Sequence, residues 1–586
     1  MSDDAKNSSQ DDANILGNSS ATEQPPNGPR EQVPDSPKHQ AGQNGPRDQY
    51  VVAVDVGTTT LRCHVYDKLA NVKGSSSKKV HLLHPKPGWV EMDPEVLWTD
   101  FVDVVNEAIR AAGLTADQVA GMGISTQRST FTMWDRETGK LYHNFLTWQD
   151  LRGAELVDLW NNSFTMKALH GGGGLLYYMS RSKRFLAANL LKFLPQQITM
   201  KVMWMLQNNL TLRRRAFNGL VSFGTIDTYL LWKLTGGQVY ATDYSCASST
   251  GLYDPYIKQW NKFFTNLLSI PISIFPPVED TSKIHGVCET KLFGAPIPIA
   301  SLVADQQAAM FGECCFDPGD VKCTMGTGTF MDINVGSNPH TSMAGLYPLI
   351  GWKIGDEIVY LAEGNASDTG NAIDWARSIG LFDDYTETVE IVESVEDSNG
   401  VHFVPAFNGL QAPVNDPRAC SLFLGLSATT TKAHMLRALL ESLVFRNKQL
   451  YETMLNETKI PITYIRADGG VSNNSFVMQL TADLLNRTIT RPKHVDMSSL
   501  GAAFLAGLAV GFWKDKEEFR RLKDGMTNHV QIGMWTSKEE LKDLQSSEKV
   551  FHPRPVSEGV WEKYRPVVEQ WEKAVKRSLY WYPAKN

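Results

Sequence analysis

"VVAVDVGTTTLRCHVYD", Val51 to Asp67, decides how the rest of the chain is read. An apolar run ends at Asp55, a Gly57-Thr58-Thr59-Thr60 turn reverses the chain, and a second strand-like run follows. Gly57 reaches backbone angles closed to other residues, and each threonine sets a hydroxyl beside a main-chain amide, so the turn suits the oxygens of a phosphate. A carboxylate at its mouth would repel that phosphate unless a cation lies between them. Magnesium at nucleotide sites takes one or two carboxylates with phosphate and water, which would make Asp55 a metal ligand. A hairpin with a buried, hydrogen-bonded aspartate accounts for the same residues.

The layout returns in "DVKCTMGTGTFMDINV", Asp320 to Val335: strand, Gly326-Thr327-Gly328-Thr329 turn, strand. Two related halves facing each other would produce this echo, and so would two unrelated hairpins. In the first reading Thr327 grips the same phosphate chain from the opposite side. "ITYIRADGGVSNNSFVMQLTADLLN", Ile462 to Asn486, adds a strand, a Gly469-Gly470 turn and a helix. Gly470 would let a flat base approach the backbone, or would simply turn a strand into a helix.

Around these turns the pattern alternates. "WVEMDPEVLWTDFVDVVNEAIRAAG" predicts a helix with Pro94 in its first turn and Gly113 as its stop. "VAGMGIST" predicts a buried strand, "TFTMWDRETGKLYHNFLTW" a strand pair, and "GTIDTYLLWKLTGG" a helix. "APIPIASLVADQQAAMFGE" runs from strand into helix at Asp305. Strands and helices in alternation, with polar turns where strands end, define an α/β protein whose site lies in a cleft at those ends.

Asp305 is the candidate for chemistry. Helix-start amides would favour its ionised form, and a carboxylate there could take a proton from an attacking hydroxyl. An ordinary N-cap is the competing role. Arg128, after the strand "GIST", offers a fork of donors for substrate hydroxyls or a surface ion pair. Trp148 offers an apolar pocket wall or a core side chain.

At 586 residues the chain is too long for one core. Its net charge of −7 argues against nonspecific nucleic-acid binding. Seven cysteines with no C-x-x-C pair suit a reduced compartment. With no leader-like segment behind Met1 and no apolar run of spanning length, the expected location is cytoplasmic. Residues 1–48 contain no aromatic and read as a disordered tail.

Together these motifs resemble the FGGY carbohydrate kinases, and within them the glycerol kinase branch, from about Tyr50 to Trp513. "VDVGTTTLR", "PGWVEMDPEVLW", "GISTQR", "TWQDLR", "ATDYSCAS", "ADQQAAMFG", "TMGTGTF", "VPAFNGLQAP", "ADGGVSNN" and "LGAAFLAGLAVGFW" carry the likeness. The resemblance implies two actin-like ATPase (ribonuclease-H-like) domains around a central cleft, over residues 49–313 and 314–538, with an insertion at about 164–195 and a helical tail at 539–586. It also implies ATP and Mg2+ in the cleft, and transfer of the γ-phosphate to a polyol hydroxyl, with glycerol as the expected acceptor. Thr58, Thr59, Thr60 and Arg62 match the first phosphate turn and Thr327 the second. Gly370, Asp374, Gly470 and Asn474 fall where the family lines the nucleotide. Asp305 matches the general base, with Asp55 and Asp305 toward the metal and Gln306 beside the substrate. A homo-oligomer is compatible with this reading.

The departures cluster on the acceptor side. The branch carries Gln-Arg-Glu where this chain has Gln127-Arg128-Ser129, so a strong acceptor of substrate hydroxyls is replaced by a short neutral side chain. Gln196 stands in the register of a pocket tyrosine, and Cys246 and Ser249 replace an Asn and an Arg. A kinase for another polyol or sugar, and a catalytically weak ATP-binding regulator, therefore stand beside the glycerol reading. "GGGGLLYYMSRSKRFLAANLLKFL" in the insertion suits an amphipathic helix over the pocket or at a membrane surface, or a plain surface excursion.

Overall fold

Asp55 lies one residue from the end of β1 (Tyr50–Val56), which pairs antiparallel with β2 (Thr60–Tyr66), and β2 in turn with β3 (Val72–Lys79). The computed structural model describes residues 49–493, 496–511, 538–544 and 547–583; the tail expected over residues 1–48 lies outside them. On its other side β1 runs parallel to β4 (Val119–Thr126). Strand β5 (Ser282–Val287) pairs antiparallel with β6 (Pro298–Ala304), and β6 runs parallel to β4, giving the order β5-β6-β4-β1-β2-β3.

A second sheet repeats the plan. Here β7 (Asp320–Met325) and β8 (Thr329–Gly336) form the hairpin, and β9 (Tyr347–Ile354) and β10 (Glu357–Ala366) extend it. Strand β11 (Tyr464–Asp468) runs parallel to β7, β12 (Ile489–Pro492) runs parallel to β11, and β13 (Ser547–Phe551) closes the edge antiparallel. The order is β9-β10-β8-β7-β11-β12-β13. Matching β7 to β1, β8 to β2, β10 to β3, β11 to β4, β12 to β6 and β13 to β5 gives the same order and the same pairing senses in both sheets. The echo of the two Gly-Thr turns is thus the visible part of a shared strand order, which differs in connection only at the edge, where β5 precedes β6 but β13 follows β12, and in the extra strand β9.

Strand composition explains the sheets. Val51 to Val56 are buried, as are all but one residue of "VAGMGIST", the pattern of central strands covered on both faces. Helix Pro94–Ala111 covers one face of the first sheet with Leu97, Phe101, Val104, Val105 and Ala108, capped by the Asp93 carboxylate. The other face is covered by helices Asp305–Gly312 and Met497–Val510. They cross where glycines meet: a Cβ on Gly501 would lie 1.8 Å from the Ala308 carbonyl oxygen, and one on Gly312 would lie 2.3 Å from that of Met497. Helix Met497–Val510 follows β12 of the second sheet in the chain, so this crossing fastens one half to the other. Helix Val560–Ser578 buries Tyr564, Val568 and Trp571 in the core of the second half.

Candidate active site

Parallel pairing sets the geometry. Asp55 on β1 stands opposite Ser125 on β4, which stands opposite Val303 on β6, two residues before Asp305. Asp55 and Val303 are thus two strand spacings apart, about 9–10 Å across the sheet, and Asp305 follows two residues later at the same edge. The Asp305 charge reaches Asp55 and raises its proton affinity.

Asp55 is buried and accepts a hydrogen bond from Ser125 Oγ at 2.7 Å. Burial first, then the charges of Asp496 and Asp305, push its carboxyl well above the usual range, against the pull of Ser125 and Arg62. The structure thus gives Asp55 as a buried, hydrogen-bonded carboxyl with other carboxylates acting on it. Asp496, just before helix Met497–Val510, lies 3.4 Å from both Arg62 and His64. Burial raises its proton affinity, but His64 and Arg62 outweigh that and hold it ionised.

The first turn is open as expected. Gly57 N–H donates to the Thr60 carbonyl at 3.0 Å, while the amides of Thr58 and Thr59 have no acceptor among the described residues. The Thr58 hydroxyl accepts from Trp148 Nε1 at 3.0 Å and donates to Gln127 Oε1 at 3.3 Å. Trp148 is half-buried rather than core, and its indole N–H fixes the turn.

The second turn is stitched to its surroundings. Gly370 N–H donates to the Gly326 carbonyl, and the amides of Thr369 and Asn371 donate to that of Thr327. A Cβ at Gly370 would sit 2.5 Å from the Gly326 oxygen, so that glycine is required to seat helix Gly370–Ser378 against the turn. Gly470 faces open space, with nothing within 4 Å of where a Cβ would lie. Asp374 is exposed and accepts from the Tyr385 hydroxyl at 2.6 Å. Asn474 caps helix Ser475–Leu485 through Val477 N–H and donates to Thr388, so its side chain is already engaged.

Asp305 corrects one expectation. It opens helix Asp305–Gly312 and accepts from the Gln306 amide at 2.8 Å, but burial outweighs that amide, Arg128 and Lys322, and its carboxyl is raised, not lowered. Arg128 corrects another, because it is not at the surface. It is 13% exposed, with Nε 3.6 Å from Asp305 and Nη1 2.7 Å from Glu363 on β10. Burial opposes its charge, and Glu363 and Asp305 more than restore it. Gln306 Oε1 accepts from Lys322 Nζ at 2.5 Å, and that buried lysine also faces Asp332 at 3.3 Å.

On the acceptor side, Ser129 takes a left-handed backbone (φ 56°) and spends its hydroxyl on the Ser249 carbonyl at 2.9 Å. Ser249 bonds the Ser245 carbonyl at 2.9 Å, Cys246 is buried, and Gln196 is exposed in the turn before helix Ile198–Asn208. Sequence reading missed Glu363, Lys322, Asp332, Asp468 and Asp496. Only Asp468 carried a signal, since it ends β11 just before Gly469 as Asp55 nearly ends β1.

The charges of Asp305 and Asp496 both act on Asp55, and carboxylate oxygens are the donor type that a hard cation such as magnesium takes.

A duplicated actin-like ATPase fold with paired Gly-Thr turns is the architecture of a phosphoryl-transferring enzyme. Residues 50–312 match the N-terminal domain of the FGGY family of carbohydrate kinases and residues 321–510 its C-terminal domain, so the chain belongs to that family of ATP-dependent sugar and polyol kinases. It is 57% identical to Glycerol kinase 5 of Danio rerio, over 92% of this chain and 98% of that protein. It is 54% identical to Glycerol kinase 5 of Homo sapiens, over 91% and 96%. The Plasmodium falciparum glycerol kinase solved with ADP superposes with a TM-score of 0.76 at 29% identity, covering 91% of this chain and 98% of that one.

Proposed function

We propose that this chain transfers the γ-phosphoryl group of ATP to a primary hydroxyl of glycerol, giving glycerol 3-phosphate. The observation that carries the reading is the pair Asp55 and Asp305 at one edge of one sheet, in electrostatic contact with each other. Asp305 accepts the hydroxyl proton as the oxygen attacks; burial raises its proton affinity, which makes it a stronger base than an exposed aspartate. The free amides of Thr58 and Thr59, with Arg62, take the phosphate oxygens on one side, and the turn at Thr327 takes them on the other. Gly370, Asp374, Gly470 and Asn474 border the nucleotide. Arg128 orients the acceptor hydroxyls, with Ser129, Trp148 and Gln306 around it. Asp55 and Asp305 would hold Mg2+, which supplies charge neutralisation on the transferring group. Purified protein forming glycerol 3-phosphate from ATP and glycerol, with the activity lost in Asp305→Asn, tests the proposal; an unimpaired variant would remove Asp305 as the base.

Ser129 favours a second reading. Its hydroxyl is committed to Ser249, so no acidic acceptor stands at that position. A polyol or sugar that needs fewer acceptors there would be the better substrate. A side-by-side panel of acceptors separates the two readings.

A further inference from the structure

The insertion carries a surface that the kinase reaction does not use. It folds as two helices, Phe164–Ser180 and Lys183–Leu190, joined through Arg181 in a left-handed conformation (φ 56°). Glycines bring them together: a Cβ on Gly173 would lie 2.8 Å from the Asn189 amide nitrogen, and one on Gly174 would lie 2.9 Å from Asn189 Nδ2. Asn189 Nδ2 donates to the His170 carbonyl at 2.7 Å and closes the pair. Met166 and Gly173 face inward and are buried.

The outward face is apolar. Phe164, Leu175, Tyr178 and Met179 are 84, 61, 72 and 73% exposed. With Ala168 and Gly171 they recur in steps of three and four along one side of the helix, so they form one stripe. Soluble surfaces rarely leave so many large side chains on one helix face. From Phe164 to Pro195 there is no Asp or Glu, although the whole chain has a net charge of −7. Lys167, Arg181, Lys183 and Lys192 are exposed, and none has an acidic partner among the described residues; only Arg184 is paired, to Asp254 at 2.7 Å. The Lys183 carbonyl accepts from Thr341 of the second half, which fixes the short helix on the body.

We propose that this helix pair docks the enzyme on an anionic lipid bilayer, with the apolar stripe seated at the boundary between headgroups and acyl chains. Cations with no acid among them complement anionic headgroups, and an exposed tyrosine beside aliphatic side chains suits that boundary. No helix of the described residues is long and apolar enough to cross a membrane, so the helix lies along the surface.

The test uses the full-length protein and vesicle flotation. Vesicles of phosphatidylcholine enriched in phosphatidylserine should carry about tenfold more protein than phosphatidylcholine alone, and high salt should reduce the difference. The variant Leu175→Glu/Tyr178→Glu/Met179→Glu should lose flotation on both, and Arg181→Glu/Lys183→Glu should lose the dependence on phosphatidylserine. Both should keep the wild-type melting temperature and ATP-dependent turnover in solution. Emission of a Tyr178→Trp variant should shift to the blue on the anionic vesicles. Flotation that is absent, or equal in wild type and triple variant, overturns the proposal. So does a triple variant whose sedimentation mass falls, because the stripe would then join two copies of the chain.

Discussion

Arg128 spans the two halves of the molecule: its guanidinium lies 3.6 Å from Asp305, at the end of the first sheet, and 2.7 Å from Glu363 on β10 of the second. One planar cation thus holds the proposed base against a strand of the opposite half, and burial raises the Glu363 carboxyl despite the arginine beside it.

Glu363→Gln should therefore act on the acceptor side. The variant keeps shape but loses half of the charge contact, so folding stability should fall by roughly 1–3 kcal/mol. The acceptor KM should rise while the KM for ATP stays near wild type. Arg128→Lys should do the same more strongly, since a point charge cannot face both carboxylates as a fork does. Steady-state kinetics with each substrate varied in turn checks the split.

Asp305→Asn should lower kcat by about 100- to 10,000-fold with ATP binding retained. Because burial raises the Asp305 carboxyl, the acidic limb of the kcat/KM profile should lie above the ordinary carboxylate range. Below that limb the group is protonated and cannot accept the hydroxyl proton, so activity falls as pH falls. A profile flat down to the usual range of an exposed aspartate would contradict the assignment.

Lys201 makes a prediction about stability. It is fully buried in helix Ile198–Asn208, donates to the carbonyls of Thr147 at 2.7 Å and Trp148 at 3.2 Å, and is brought down by burial to about 7 from 10.5. Between those two values the unfolded chain binds a proton that the folded chain does not. The resulting destabilisation is complete below the folded value and disappears as pH rises through the unfolded one. Urea unfolding at pH 7, 8 and 9 should show wild-type stability rising with pH by ~1.4 kcal/mol per unit more than in Lys201→Met.

The sequence made the Asp55 edge of the first sheet legible because the information there is local. A strand, a Gly-Thr turn and a carboxylate at a strand end are all visible within a few residues of Asp55, and again at Thr327. The acceptor side was harder. Glu363 sits inside "LAEGNASD" in a strand with no turn beside it, and meets Arg128 only because the two sheets face each other. Asp496 precedes an apolar helix and reaches Arg62 through the packing of the second half on the first. Burial also reversed a local inference: helix-start amides favour a charged Asp305, but desolvation outweighs them.

That packing depends on the glycine crossing, which supplies the last prediction. In Gly501→Ala the new methyl would lie 1.8 Å from the Ala308 carbonyl oxygen and 2.9 Å from the Gly312 amide nitrogen. Both are backbone atoms of helix Asp305–Gly312, so no side-chain rotation relieves the contact and the two helices must separate. Overpacking of this kind costs about 1–3 kcal/mol, enough to lower the melting temperature by several degrees. Helix Asp305–Gly312 begins with the proposed base, so the displacement should also reduce kcat, whereas Gly172→Ala, inside helix Phe164–Ser180 with open space around it and an ordinary helical backbone, should leave kcat unchanged. Thermal melts and turnover measured on both variants check it: equal melting temperatures would mean that the two helices do not meet at Gly501.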